Sequence, residues 1–453
     1  MTIAKNERRH VWHGACCYLI TKTRSHRGEI CRLSQEFLVS STTLSNPMPA
    51  TGSATRWIQL LLGLVCMMAI SSPQYVWTLF TKPMGSALGA SAPAIQVTFT
   101  LLIVLQTFFS PFQGWLVDRF GPRLLIGAGT FLTGASWVLA AWASTLTQLY
   151  LTYGLIGGIG TGIVYVGVVG QMVRWFPDHR GFAAGTVAAG YGMGAIVTTF
   201  PISNSLALAG YTSTLMQYGV IFAIVGCLAA IGLKPAPASQ AADSSERDGI
   251  ETAAMLRTPV FWLMFVMMTL MSTSGLMVTS QLAAFAGDFG ISKMLVWGVA
   301  AVPLALTIDR FCNGLTRPFF GFVSDRLGRE QTMFIAFGLE AIAMTAWLAT
   351  RADPLLFVLL SGVVFFGWGA IFSLFPSTLT DTFGAKHATR NYGCLYIAQG
   401  IGSFLGGPMA ALLHQSAGSW TPVFVTAICV DALAAILALV VLRPMRARYM
   451  ARD

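Results

Sequence analysis

Between residues 301 and 322 the sequence AVPLALTIDRFCNGLTRPFFGF has the apolar character of a membrane helix, yet it holds Asp309, Arg310, Asn313 and Arg317. Charge inside a hydrocarbon layer is costly, so such residues face a cavity or a partner helix and mark candidate functional positions. Each residue of an α-helix turns about 100° and rises about 1.5 Å. With Arg317 at zero, Arg310 falls near +20°, Asn313 near −40° and Asp309 near −80°, so all four occupy an arc of about 100°. Arg317 lies two helical turns and more from Asp325, about 12 Å along the axis, close to the middle of a core about 30 Å thick. A guanidinium there stays charged and matches a carboxylate through two parallel hydrogen bonds. Burying it empty is unfavourable, so an anionic substrate gains affinity by relieving it. A structural ion pair is the weaker alternative for Arg317. For Asp309 and Arg310 structural pairing and a coupling role weigh equally. Poor solvation would favour a proton on Asp309, and the neighbouring arginine would oppose it.

The elements that must hold this face follow from composition. Of 453 residues, 55% are hydrophobic and 10% are charged, against roughly 25% charged in soluble domains. Apolar stretches of about 20 residues occur at 57–80, 92–115, 124–143, 149–172, 182–203, 214–233, 260–285, 295–320, 331–349, 354–377, 391–413 and 421–442. They predict an all-α membrane protein with twelve transmembrane helices. GWLVDRFGPR at 114–123 returns as GFVSDRLGR at 321–329, each after the second span of a six-span set, so the chain divides into two pseudo-symmetric halves. The expected organisation is a tail over 1–54, a half over 55–233, a Pro-, Ala-, Ser- and charge-rich linker over 234–258, a half over 259–442 and a tail over 443–453. Halves repeated in this way, with a substrate site between them near the midplane, are a transporter architecture.

In the repeated loop Gly114, Gly121, Gly321 and Gly328 permit tight turns. Asp118 and Asp325 can accept hydrogen bonds from helix N-termini or pair with arginines, of which Arg119, Arg123, Arg326 and Arg329 lie in the loops themselves. Such a latch would stabilise an outward-open state; a plain turn carrying topogenic charge is the alternative. The net charge of +10 suggests nucleic acid until its placement is read. One set of alternate loops holds most of the basic residues, whereas the other holds Lys82, Lys293 and Arg351. This is the positive-inside pattern. It predicts a multi-pass protein of a bacterial inner membrane with both termini cytoplasmic, and no nucleic-acid partner. Residues 1–47 are polar and basic without helical period. Two readings stand, a disordered tail or a start placed ahead of the true one at Met48, and the second is slightly favoured.

The repeated loop, the twelve spans and the central linker resemble the major facilitator superfamily. QYVWTLFTKP (74–83), RWFPDHRG (174–181), LRTPVFW (256–262), TRPFFGFVSDRLGR (316–329), FSLFPS (372–377) and RNYG (390–393) resemble, more narrowly, the oxalate/formate antiporter family, and they cover nearly all of 55–442. The resemblance implies that an arginine of the eighth span and a lysine of the eleventh bind the two carboxylates of oxalate. The arginine falls on Arg317 and the lysine position on Gln399, which brings hydrogen-bonding capacity without charge. Gln74, Tyr75, Trp77, Tyr153, Tyr165 and Trp368 match the amide and aromatic positions that close the cavity. Phe372 stands where a hydroxyl-bearing aromatic is expected. A monocarboxylate such as formate or lactate is therefore expected over oxalate, which would remain a substrate if Arg310 supplied the second charge. Protons are the alternative coupling ion through Asp309, in the manner of a monocarboxylate symporter.

Other classes find less support. No nucleotide-binding loop, HExxH or nucleophile elbow is present, so neither an enzyme nor an ATP-driven pump is expected. Eight scattered cysteines form no C-x-x-C, and no disulfide framework, metal or cofactor is expected. A carboxylate sensor that does not transport would need an output domain, which the short tail at 443–453 does not supply. Glu340, in the ninth span, reads as a packing residue. The expected partners are small carboxylate anions and the lipid bilayer, and the functional unit is a monomer.

Overall fold

The computed structural model describes residues 50–237, 249–291 and 294–451. Both readings of 1–47 concern residues outside that set, and Thr55–Asp453 forms a compact unit of its own. Hydrocarbon offers backbone groups no partner, so apolar segments satisfy themselves as helices. Among the described residues nine helices are long and apolar enough to cross a membrane. A pair bent by 54°, Ala94–Phe108 with Ser110–Phe120, gives a tenth. One of the nine, Arg180–Ile231, has 52 residues and breaks at Gly210 (φ 76°, ψ 171°). Ser205 Oγ lies 3.0 Å from Thr214 Oγ1, although a straight helix would separate residues nine apart by about 13 Å. The chain thus folds back at Gly210, and this helix supplies the fifth and sixth spans. Ala301–Leu327, the eighth span, has the length with 27 residues; its charges are what dilute its hydropathy. Twelve spans result among the described residues.

Helix starts carry local causes. Thr258 accepts from the Phe261 N–H and precedes Pro259 at the seventh span, and Asp353 accepts from Leu355 and Leu356 N–H and precedes Pro354 at the tenth. Side-chain caps and N-terminal proline satisfy or remove donors that a helix start leaves unpaired. Two boundaries differ from those the apolar stretches predict. Residues 295–300, apolar enough to begin the eighth span, form a hairpin instead, β1 (Leu295–Val296) against β2 (Val299–Ala300). Trp297 (φ 54°) and Gly298 (φ 77°) make its turn, a pair of positive φ angles that suits two-residue hairpins. At the other end, the twelfth span Thr421–Leu437 continues as helix to Ala451. The segment that reads as a tail from 443 is therefore helical, and Arg446 pairs with Glu330 at 2.7 Å.

Several spans are discontinuous. The first breaks between Ala50–Ala69 and Trp77–Leu88, with a short turn at Ser72–Tyr75. The fourth is widened over Tyr150–Ile156 before Gly157–Trp175, and the tenth breaks between Pro354–Trp368 and Ile371–Phe383.

The repeated loop has a repeated backbone. Gly121 (φ 88°, ψ 153°) and Gly328 (φ 95°, ψ 155°) join successive spans in the same conformation, one that glycine alone occupies readily. No atom lies within 4 Å of where a Gly121 side chain would begin, so a substitution there tests the backbone alone. Gly121→Ala is expected to destabilise the protein by about 1–3 kcal/mol. Gly338→Ala, in open space on a regular helix, is expected to stabilise it by about 0.4–1 kcal/mol. Opposite shifts in thermal unfolding of the detergent-solubilised protein check both.

Candidate functional site

Arg317 is 1% exposed. One terminal nitrogen donates to the Ala188 carbonyl at 2.6 Å and the other to Asn313 Oδ1 at 2.7 Å. Nε is buried without an acceptor, and the guanidinium carbon lies 4.2 Å from the centre of the Phe372 ring. Among the described residues its hydrogen-bond partners are neutral and no carboxylate pairs with it. Neutral acceptors and a ring face leave much of the cost of burying a cation uncompensated.

The helix breaks supply the surroundings. Phe372 and Trp368 flank the break in the tenth span and meet edge to face at 5.7 Å; Trp368 Nε1 donates to the Met271 carbonyl at 3.0 Å. The break in the first span presents Gln74 and Tyr75. It is held by Ser71, whose hydroxyl donates to the Tyr191 carbonyl at 2.6 Å and accepts from the Ala195 N–H at 2.9 Å. Arg310, exposed, places its guanidinium 5.2 Å from the Tyr75 ring centre. Tyr75 meets Tyr191 edge-on, and the Tyr191 hydroxyl donates toward Gln74 Oε1 and Gln106 Oε1. Gln106 Nε2 then donates to the Tyr396 hydroxyl at 3.2 Å, and Tyr396 stacks on Tyr165 at 4.6 Å. This network crosses from the first half to the second. Gln399 is 9% exposed and accepts from Ser272 Oγ at 2.5 Å, which leaves its NH2 group as the donor.

The residues predicted from sequence therefore divide. Asn313 and Phe372 meet the Arg317 guanidinium and Trp368 packs on Phe372, and Gln74, Tyr75 and Tyr165 join the cross-half network. Trp77 and Tyr153 instead meet as a tilted pair at 4.2 Å within a separate cluster with Phe80 and Trp137, and Tyr153 donates to the Pro73 carbonyl at 2.6 Å. Asp309 is 3% exposed and neither carboxyl oxygen has a hydrogen-bond partner; the neighbouring Ser361 hydroxyl donates to the Val358 carbonyl. Glu340 packs against Gly367 with Asp431 of the twelfth span as its charged neighbour. Tyr191 and Tyr396 are network members that the sequence reading does not single out. Tyr392, Tyr396 and Gln399 recur at helical spacing and fall within about 60° of one another, a pattern that points to Tyr396.

At the ends bearing the repeated loops the halves are zipped together. Asp325 accepts from the Gly181 and Phe182 N–H groups at 2.9 and 2.8 Å and from Arg329 at 2.6 Å. It thus caps the fifth span, across the seam, from the eighth. Asp118 accepts from the Arg390 N–H at 3.2 Å, at the start of the eleventh span Ala388–Ala417, and from Arg174 at 2.5 Å. Asp381 takes both Arg180 and Arg329, at 2.8 and 2.7 Å. Gly181 and Gly321 pack backbone to backbone at this crossing, leaving no room for a side chain. Arg119 and Arg326 lie over the Trp115 and Phe322 rings instead. Arg123 is an exposed residue of the first turn of Pro122–Ala141, and Gly114 lies against Thr389 and Arg390.

Just outside the spans, Asp178 pairs with Arg56 at 3.0 Å and with His179 at 2.8 Å. Partial burial works against its charge, but the His179 hydrogen bond and the Arg56 charge outweigh this and hold the carboxyl below its usual range.

A family model described as the Major Facilitator Superfamily matches residues 60–308 and 297–451. The oxalate:formate antiporter of Oxalobacter formigenes is 34% identical over 390 residues, 84% of this chain and 91% of that protein. Monocarboxylate transporter 13 of Bos taurus is 26% identical over 342 residues, 74% of this chain and 78% of that protein. Among solved structures, the proton:xylose symporter XylE superposes with a TM-score of 0.68 at 14% identity, covering 85% of this chain and 95% of that one.

The Asp325 cap joins the halves through hydrogen bonds made by a carboxylate, which are among the stronger kinds. Asp325→Asn is expected to weaken the closed seam by about 1–3 kcal/mol, a roughly 5- to 150-fold change in the ratio of closed to open forms. Spin labels at Phe120 and Leu327, exposed on opposite halves, should report a larger population of long distances.

Proposed function

The chain belongs to the major facilitator superfamily, and on that premise we propose that it carries small organic carboxylates across the membrane by alternating access. It is an integral, multi-pass transporter and not an enzyme. The observation that carries the substrate class is the Arg317 guanidinium, buried between the halves with an unsatisfied Nε–H and no acid beside it. A carboxylate supplies the missing counter-charge, and the Phe372–Trp368 wall closes over it. The likeness to an oxalate:formate antiporter supports the same class.

Within the class, the reading favours a monoanion such as formate or lactate. Gln399 offers a neutral donor where a dianion would gain from a second cation. The zipped ends, rich in arginine, face the cytoplasm of a bacterial inner membrane by the positive-inside pattern, and both termini lie there. The Asp118, Asp325 and Asp381 contacts are then the cytoplasmic gate of a monomeric carrier. Counterflow in proteoliposomes tests this, and flux also separates transport from sensing. Arg317→Gln should lower monocarboxylate exchange at least tenfold, the scale of one hydrogen-bonded charge. Gln399→Lys should raise oxalate exchange relative to formate. Tight oxalate exchange by the unaltered protein, abolished by Arg310→Gln, would overturn the monoanion preference.

Asp309 supports a second reading, in which uptake is coupled to protons. Its buried carboxyl oxygens make no hydrogen bond, with the Ser361 hydroxyl and Arg310 as their polar neighbours, and a poorly partnered buried charge is among the costliest groups in a protein. A monocarboxylate transporter stands among the relatives. Under this reading an imposed pH gradient drives uptake, and Asp309→Asn keeps exchange while losing the gradient dependence. Gradient-driven uptake that survives in the variant would exclude it.

A further inference from the structure

A concavity of about 760 Å³ lies near the zipped end. Phe112 and Trp115 of the second span form one wall, and Phe261, Trp262 and Phe265 of the seventh form the other. Arg390, at the start of the eleventh span, lines it as well. Phe112 and Trp262 are 56% and 50% exposed, so the groove opens outward from the bundle. Arg390 is nine residues from Gln399, about 13 Å along the helix, which puts it near the boundary of a hydrocarbon core about 30 Å thick. Tryptophan beside arginine at that depth is the composition of the membrane interface. The Arg390 backbone N–H is bound to Asp118, but its exposed guanidinium has no acidic partner among the described residues, because Asp118 pairs with Arg174.

We propose that this groove seats an anionic phospholipid, with an acyl chain between the aromatic walls and the headgroup phosphate on the Arg390 guanidinium. An apolar slot whose described lining carries one cation, Arg390, at its interfacial mouth, with Arg119 over the Trp115 ring beside it, complements that amphiphile and complements neither a soluble anion nor a wholly apolar ligand. The groove is built from both halves. Its walls stand together only while the second span lies against the eleventh, which packs on the seventh, at this end. A lipid that fits only this arrangement stabilises it relative to any form in which the halves part here. The inference is independent of which carboxylate is carried.

Native mass spectrometry of the full-length protein, with phosphatidylglycerol or phosphatidylcholine of identical acyl chains, tests it. The unaltered protein should retain phosphatidylglycerol roughly tenfold more tightly, the scale of a charge-assisted hydrogen bond. Arg390→Gln should remove that preference. Cys394→Trp, which fills the groove without changing charge, should lose the retained lipid. Arg443→Gln makes the same charge change at an exposed position that does not line the groove, and it should leave retention intact. Equal losses in Arg390→Gln and Arg443→Gln would reveal diffuse attraction and overturn the proposal, as would undiminished retention in Arg390→Gln. If Cys394→Trp fails to fold, the contrast between the two arginine variants decides alone.

Discussion

A guanidinium held inside a membrane protein without an acid is the constraint around which the seam is arranged. Arg317 has five N–H groups to satisfy. Two of its partners are a main-chain carbonyl of the fifth span and an amide one turn away on its own helix. The ring of Phe372 takes one face. Each partner is neutral, and between them they come from the fifth, eighth and tenth spans. The fifth span approaches closely because Gly185 lies against the Arg317 carbonyl, and the tenth brings Phe372 in because it breaks just before it. The cation is tolerated because three spans converge on it, and it stays unneutralised because, among the described residues, none of their carboxylates pairs with it.

The zipped end solves a different problem by the same duplication that built the fold. Asp118 and Asp325 occupy equivalent places in the two halves, and each caps a helix of the opposite half. Helix starts leave N–H groups unpaired and carry partial positive charge. A carboxylate borrowed from the other half satisfies them only when the halves are closed. The sequence repeat thus becomes a pair of reciprocal contacts, and Asp381 adds to one side by bridging Arg180 and Arg329. The two sides are not equal in strength, since the Asp325 side has two N–H donors and two arginines in its network while Asp118 has one of each.

Much of this arrangement is legible in the amino-acid sequence. Lipid excludes charge so strongly that Asp309, Arg310, Asn313 and Arg317 must share a face, and the repeated loop must mark equivalent turns. What the sequence hides depends on helix phase and on breaks. Trp77 and Tyr153 match aromatic cavity positions by resemblance, yet the interruption at Ser72–Tyr75 separates Trp77 from Tyr75, so that Tyr75 meets Tyr191 while Trp77 packs on Tyr153. Apolar content cannot register such a break. Residues 295–300 look like the start of a span because Leu, Val and Ala suit strand and helix alike, and only the Trp297-Gly298 turn distinguishes them. The role of Tyr191 is hidden for a similar reason, since its partners Gln74 and Gln106 come from two other spans.

The two arrangements are mechanically joined along one pair of helices. The fifth and eighth spans touch at Asp325 with Gly181, at Gly321 with Gly181, at Gly185 with the Arg317 carbonyl, and at Arg317 with Ala188. Those contacts run continuously from the zipped end to the buried cation. An anion that draws the Arg317 donors toward itself would compete with the Ala188 carbonyl, and so would act on one tooth of the same zip. Coupling between a binding site and a distant seam requires that the ligand interact differently with two states. Under the proposed function, the differential contact would be the hydrogen bond from Arg317 to the Ala188 carbonyl of the opposite half, exchangeable for one to a carboxylate oxygen. The position of Arg317 within the zip therefore matters as much as its charge, because its guanidinium is itself one of the contacts with the fifth span, at the Ala188 carbonyl and against Gly192.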